Sequence, residues 1–160
     1  MGILNESKVF KMKNNITGRV ELEINAPVEK VWEALTKPEI IKQYFFGTNT
    51  FTDWKMGSPI IFRGEWEGKT YEDKGTILEV DKYKMIKYDY WSSMSGIEDK
   101  PENYVIITYH LTQVDTKTKL VITQENIPDE KMKEHSEENW KKVMTDMKRL
   151  VEKKSFSLTA

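Results

Sequence analysis

Two histidines and no cysteine leave this chain few routes to metal or thiol chemistry. His110 falls on the strand parity opposite Tyr109 and Leu111, toward solvent. His135 sits on or just before the polar side of a terminal helix, so neither histidine has a partner at metal-ligand spacing. Without cysteine there is no thiolate ligand, no cysteine nucleophile and no disulfide framework. Ser92, Ser93 and Ser95 flank Met94 and Gly96 without the Gly-x-Ser-x-Gly elbow of a nucleophilic serine. The scattered glycines form neither a dinucleotide fingerprint nor a phosphate loop. Among many carboxylates Asp73 stands apart. It shares strand parity with Tyr71 and Gly75 and so points inward, where burial would raise its pKa and suit it to acid–base work. The plainer role is a strand-end residue in a turn network. Glu65 and Glu72 fall on the outward parity, whereas Gln124, inward by the same test, is placed to hydrogen-bond a ligand.

The larger signal is aromatic. Inward parity nominates Phe62, Trp66, Tyr71, Tyr88, Tyr90 and Tyr109 from the strands, and helical spacing adds Trp140, Met144 and Met147. Phe45, Phe46 and Trp54 lie in a connection that should close one mouth of a cavity. Rings offer large apolar area with polar tips, and methionine fills irregular shapes, which suits a ligand cavity as well as it suits a packed core. Inward tyrosines need hydrogen-bond partners, which a partly wet cavity would supply.

The elements that must position these residues are legible in the periodicity. Val20, Leu22 and Ile24 alternate with charged residues in a half-buried strand. Pro27 suits the first turn of a helix whose apolar face is Val28, Val31, Trp32 and Leu35, and Pro38 ends it and starts a second short helix. Strands follow at 60–66, 69–80, 86–90, 105–111 and 120–124, with a hairpin turn at Glu67-Gly68 and a polar loop from Ser92 to Glu102. Asp129 caps a long helix whose stripe is Trp140, Val143, Met144, Met147, Leu150 and Val151. Such a stripe must be buried, and the concave face of a meandering antiparallel sheet is the surface available. The expected fold class is α+β: a curved antiparallel sheet gripping a long C-terminal helix, with two short helices after the first strand.

Composition narrows the function. A formal net charge of −1, with both signs interspersed, argues against a nucleic-acid partner. No apolar run approaches the ~20 residues that span a bilayer. The N-terminus shows no signal-peptide pattern, and Glu6 stands where a myristoylation signal needs Ser or Thr. A cytoplasmic protein without membrane contact, metal or cofactor is expected, and a homodimer is left open.

Three segments resemble a known family. Ala26-Pro27-Val28-Glu29-Lys30-Val31-Trp32, running on to Pro38-Glu39, resembles its opening helix signature. Gly75-Thr76-Ile77-Leu78-Glu79-Val80, with a following strand that ends Tyr90-Trp91, resembles its central hairpin. Asn139-Trp140 resembles its usual Gly-Trp in the terminal helix, with Asn139 as a departure. The chain is thereby similar to the Activator of Hsp90 ATPase homologue-like family of the START-like (SRPBCC) superfamily, over roughly residues 17–153. The resemblance implies the helix-grip fold and a cavity for an apolar ligand, and a minority of the superfamily catalyse cyclisation or hydrolysis there. The eukaryotic namesake stimulates a chaperone ATPase, relying strongly on an extra domain whose Trp-His-Trp motif this sequence lacks. The resulting expectation has an extension at 1–16, one domain at 17–154 and a tail at 155–160. Its function is non-catalytic binding of an apolar or aromatic small molecule, lipid-like or aromatic. A cyclase- or hydrolase-type enzyme and a chaperone-interaction module are the alternatives. Met147→Trp should then fill the cavity and leave the fold intact.

Overall fold

A computed structural model describes residues 14–159, of which 154–159 by backbone alone. Most of the extension read over 1–16 lies outside the described residues, and Ile16 already opens the first strand. The strands are β1 (Ile16–Ile24), β2 (Asn49–Phe51), β3 (Pro59–Trp66), β4 (Lys69–Asp81), β5 (Met85–Tyr90), β6 (Val105–Val114) and β7 (Lys117–Ile127). The helices are α1 (Val28–Thr36), α2 (Pro38–Tyr44) and α3 (Glu130–Thr159), so most of the expected tail continues α3. The strands form one antiparallel sheet in the order β1-β7-β6-β5-β4-β3-β2. This is the expected helix-grip fold. Strand β2 escapes the sequence reading because its short run is too brief to show a period of two.

Local chemistry explains each boundary. Pro38 occupies the first turn of α2, where its missing N–H is no loss. Glu67 and Gly68, at φ 50° and 79°, supply the two left-handed residues that a tight hairpin requires. Asp129 caps α3 as expected, its Oδ1 accepting the Met132 N–H at 2.8 Å. Trp140, Val143, Met144, Met147 and Val151 are buried beneath the sheet with Ile24, Ile77, Ile86, Leu120 and Ile122. Each large apolar side chain so buried contributes about 1.5–3 kcal/mol of transfer free energy. Glu137 fixes the helix laterally by accepting the Arg19 N–H at 2.8 Å.

Strand β4 changes partner along its length. Residues from Lys69 to Thr76 pair with β3, and those from Ile77 pair with β5 across a register shift. Gly75 stands at the changeover, where a Cβ would lie 1.7 Å from the carbonyl oxygen of Asp89. There the buried Asp89 carboxylate stands in for a ladder acceptor, taking the Thr76 N–H at 2.7 Å. Toward the core, β4 is part of the main sheet. Toward the turn, it is half of a hairpin that overhangs one end of the molecule.

Candidate functional site

Chain geometry at the end of α2 begins the site. Phe46 and Gly47 take left-handed φ angles of 55° and 71°, turning the chain from α2 into β2. The turn sends Phe45 inward, stacked on Phe62 at 6.4 Å between centroids and edge-on to Trp140 at 6.0 Å. Phe46 remains at the surface and meets Trp66 edge-on at 6.0 Å. Phe62, buried on β3, also contacts Tyr90 at 5.7 Å. Across the hairpin, Tyr71 lies against Gly64 and shares a 2.5 Å hydrogen bond with the Thr48 hydroxyl. These rings enclose a cleft of about 230 Å³ that Met94 and Asn139 complete.

One buried carboxylate marks its polar end. Asp73 pairs with Phe62 across the hairpin and lines the cleft. Its Oδ2 accepts the Tyr90 phenol at 2.5 Å, and its Oδ1 accepts the Ser93 N–H at 2.9 Å and the Ser93 hydroxyl at 3.3 Å. The side chain thus points inward and also anchors the loop after β5, combining both roles that parity allowed. Burial, reinforced by the negative Asp73, drives the Tyr90 phenol well above its ordinary pKa, so it stays a donor throughout the neutral range.

The sequence candidates divide into two groups. Phe45, Phe62, Trp66, Tyr71, Asp73 and Tyr90 converge on the cleft. The others lie elsewhere. Tyr88 and Tyr109 are buried and bonded to each other at 2.7 Å. Met144 and Met147 are fully enclosed in the core. Trp54 donates its indole N–H to the Thr36 carbonyl at 2.9 Å. Gln124 accepts the Trp140 indole N–H at 2.8 Å, which occupies the amide expected to meet a ligand. The inward phenols find partners in Asp73, Thr48 and one another, so they need no wet cavity. Trp66 is inward by parity yet half exposed, because the hairpin tip overhangs the sheet.

Thr48, Met94 and Asn139 line the cleft although strand parity does not nominate them. For Asn139 a signal existed: it departs from the small residue of the resembling pattern, immediately before Trp140. Among the described residues no lysine, arginine or histidine lines the cleft. On the same hairpin Arg63 pairs with Glu72 and Lys74 with Asp99. Among the described residues no helix is long and apolar enough to cross a membrane.

Comparison with known proteins follows the same lines. A family model described as Activator of Hsp90 ATPase homolog 1-like protein matches residues 25–152. The solution structure of ChR145 from Cytophaga hutchinsonii is 45% identical with a TM-score of 0.78, over 90% of this chain and 99% of that one. An HSP90 activator from Plasmodium falciparum, PFC0360w, is 19% identical with a TM-score of 0.66, over 85% and 96% of the two chains. DynU16, a protein of the dynemicin biosynthetic locus, is 17% identical with a TM-score of 0.72, over 87% of this chain and 48% of that one. The last two likenesses speak to the fold alone. Among curated proteins none matches.

Proposed function

Since the chain belongs to the Activator of Hsp90 ATPase homolog 1-like protein family, we propose that it binds a compact apolar or aromatic small molecule, without catalysis, in the cleft beneath the overhanging hairpin. The observation that carries this reading is the lining itself. Six aromatic side chains and one methionine surround a few polar groups at one end, the composition of a small-molecule site. Its volume of about 230 Å³ falls below the ~300–1,000 Å³ of drug-sized pockets, so it suits a one- or two-ring molecule or one end of a longer one. In this reading the protein works in the cytoplasm, which the absence of cysteine suits.

Native mass spectrometry on protein purified from its own host, followed by extraction of bound compounds, tests the proposal. A stoichiometric apolar compound that Trp66→Ala no longer retains supports it. A compound retained equally by Trp66→Ala lies elsewhere and sinks the assignment to this cleft.

A cyclase- or hydrolase-type activity is the second reading, and the Asp73–Tyr90 pair favours it. A buried carboxylate bonded to a phenol at the end of an apolar cleft pairs a proton acceptor with a proton donor, as acid–base work requires. Conversion of the extracted compound by the protein, abolished in Tyr90→Phe, would replace the binding reading with this one.

A further inference from the structure

We infer that the cleft selects a ligand bearing an ammonium or other cationic group, which lies among the rings with its charge toward Asp73, and that it rejects carboxylates. The inference rests on the binding reading above and adds the charge of the ligand.

Charge in the cleft carries the argument. Asp73 is only 7% exposed, and no cation pairs with it among the described ion pairs. Carboxylates are almost never so deeply buried without a cationic partner. Its three donors, the Tyr90 phenol and the backbone and hydroxyl of Ser93, are all neutral. A carboxylate offers about four acceptor positions, so one remains on Oδ2, beside the bond from Tyr90. Lys74 and Arg63 sit on the outward parity and are taken up by Asp99 and Glu72, and Lys69, opposite Trp66 at the hairpin tip, is exposed and does not line the cleft. Among the described residues, the lining of the cleft therefore carries one carboxylate and no cationic side chain.

The rings supply the second, independent preference. The faces of Phe, Tyr and Trp are electron-rich, and a cation held among several of them is attracted to each. Phe62 lies between Phe45 and Tyr90, and Trp66 with Phe46 forms the outer rim. Trp66 at the rim is half exposed whereas Asp73 is buried, so an organic cation entering past Trp66 passes rings before it reaches the carboxylate. An anion of the same shape meets the same quadrupoles and then Asp73 with unfavourable sign throughout, a juxtaposition that discriminates strongly where water is excluded.

Three probes of one shape separate charge from shape: tryptamine, indole-3-ethanol and indole-3-propionate, titrated into the full chain and followed by amide chemical shifts. The expected order is ammonium tightest, neutral alcohol next and carboxylate weakest. Each step should be on the order of tenfold, the scale of a partly desolvated cation–π contact. Asp73→Asn should narrow the gap between tryptamine and the alcohol to what the rings alone supply, while the alcohol still binds. Binding of all three probes with equal affinity at the amides around Phe62 and Tyr90 overturns the charge preference and leaves the binding reading standing. Failure of every probe, the neutral one included, to shift those amides defeats the binding reading itself. If Asp73→Asn does not fold, because Ser93 loses its anchor, the order among the probes on the unaltered protein still decides the question.

Discussion

Tyr71 lies so close against Gly64 that a Cβ built on the glycine would stand 2.4 Å from the phenol oxygen. The two residues face each other across the β3–β4 hairpin, and the absence of a side chain on one strand admits the ring of the other. The ring is held there at its far end by Thr48, so one wall of the cleft depends on a missing methyl group.

Gly64→Ala should therefore expel the Tyr71 ring and break its bond to Thr48. The expected loss is about 1–3 kcal/mol, the range for an overfilled site. Urea denaturation measures it. In a Tyr71→Ala background the same alanine should cost clearly less, and equal costs in both backgrounds would show that the ring is not what the methyl meets.

Gly75→Ala is a harsher change of the same type. Its Cβ would fall 1.7 Å from a backbone oxygen of Asp89, which no rotation of a side chain can move aside. The strand crossing itself must shift, and a loss above about 4 kcal/mol is expected. Circular dichroism and soluble yield would report it, and a variant of near-normal stability would mean that β4 is free to re-register at that point.

Met147 and Trp66 should behave as opposites. Met147 is wholly enclosed, so Met147→Ala should cost about 2–5 kcal/mol. Met147→Trp should destabilise by overfilling the core, against the sequence expectation that it would plug a cavity and spare the fold. Trp66, half exposed at the cleft rim, should lose at most about 1.5 kcal/mol as alanine, the scale of its contact with Phe46. Denaturant midpoints for the three variants check this directly.

Alkaline pH should expose the buried phenols. Burial holds Tyr44, Tyr88, Tyr90 and Tyr109 well above the ordinary phenol value. In the unfolded chain they titrate near pH 10, so above that pH the unfolded state releases protons that the native state keeps. Stability should hold up to roughly pH 10 and decline as pH rises beyond it. The tyrosinate absorbance of these four should then appear together with loss of near-ultraviolet circular dichroism. Their smooth ionisation in a still-native protein would contradict the buried assignment.

Much of this was legible in the sequence, and the reasons for the rest are physical. Alternation placed β1 and β3 through β7, and steps of three and four placed the buried face of α3, because each buries one face. Parity says which face a residue takes but not how far along the sheet the cover extends. Trp66 and Tyr88 share inward parity, yet one overhangs solvent and the other is sealed. Pairing between strands is equally invisible. Tyr88 meets Tyr109 only through the register that sets Tyr88 opposite Ile107 and Ile86 opposite Tyr109. The turn at Phe46 uses a left-handed aromatic residue, which no propensity would suggest.

The change of partner along β4 also bears on how such a chain can diverge. Residues that keep it folded, such as Ile77, Ile86 and Met147, lie on the core side of Gly75, while Trp66 and Tyr71 stand on the hairpin beyond it. Substitutions in the second group reshape the cleft with little effect on the interior. Descendants of one scaffold can therefore vary a few hairpin positions while inheriting most of their stability.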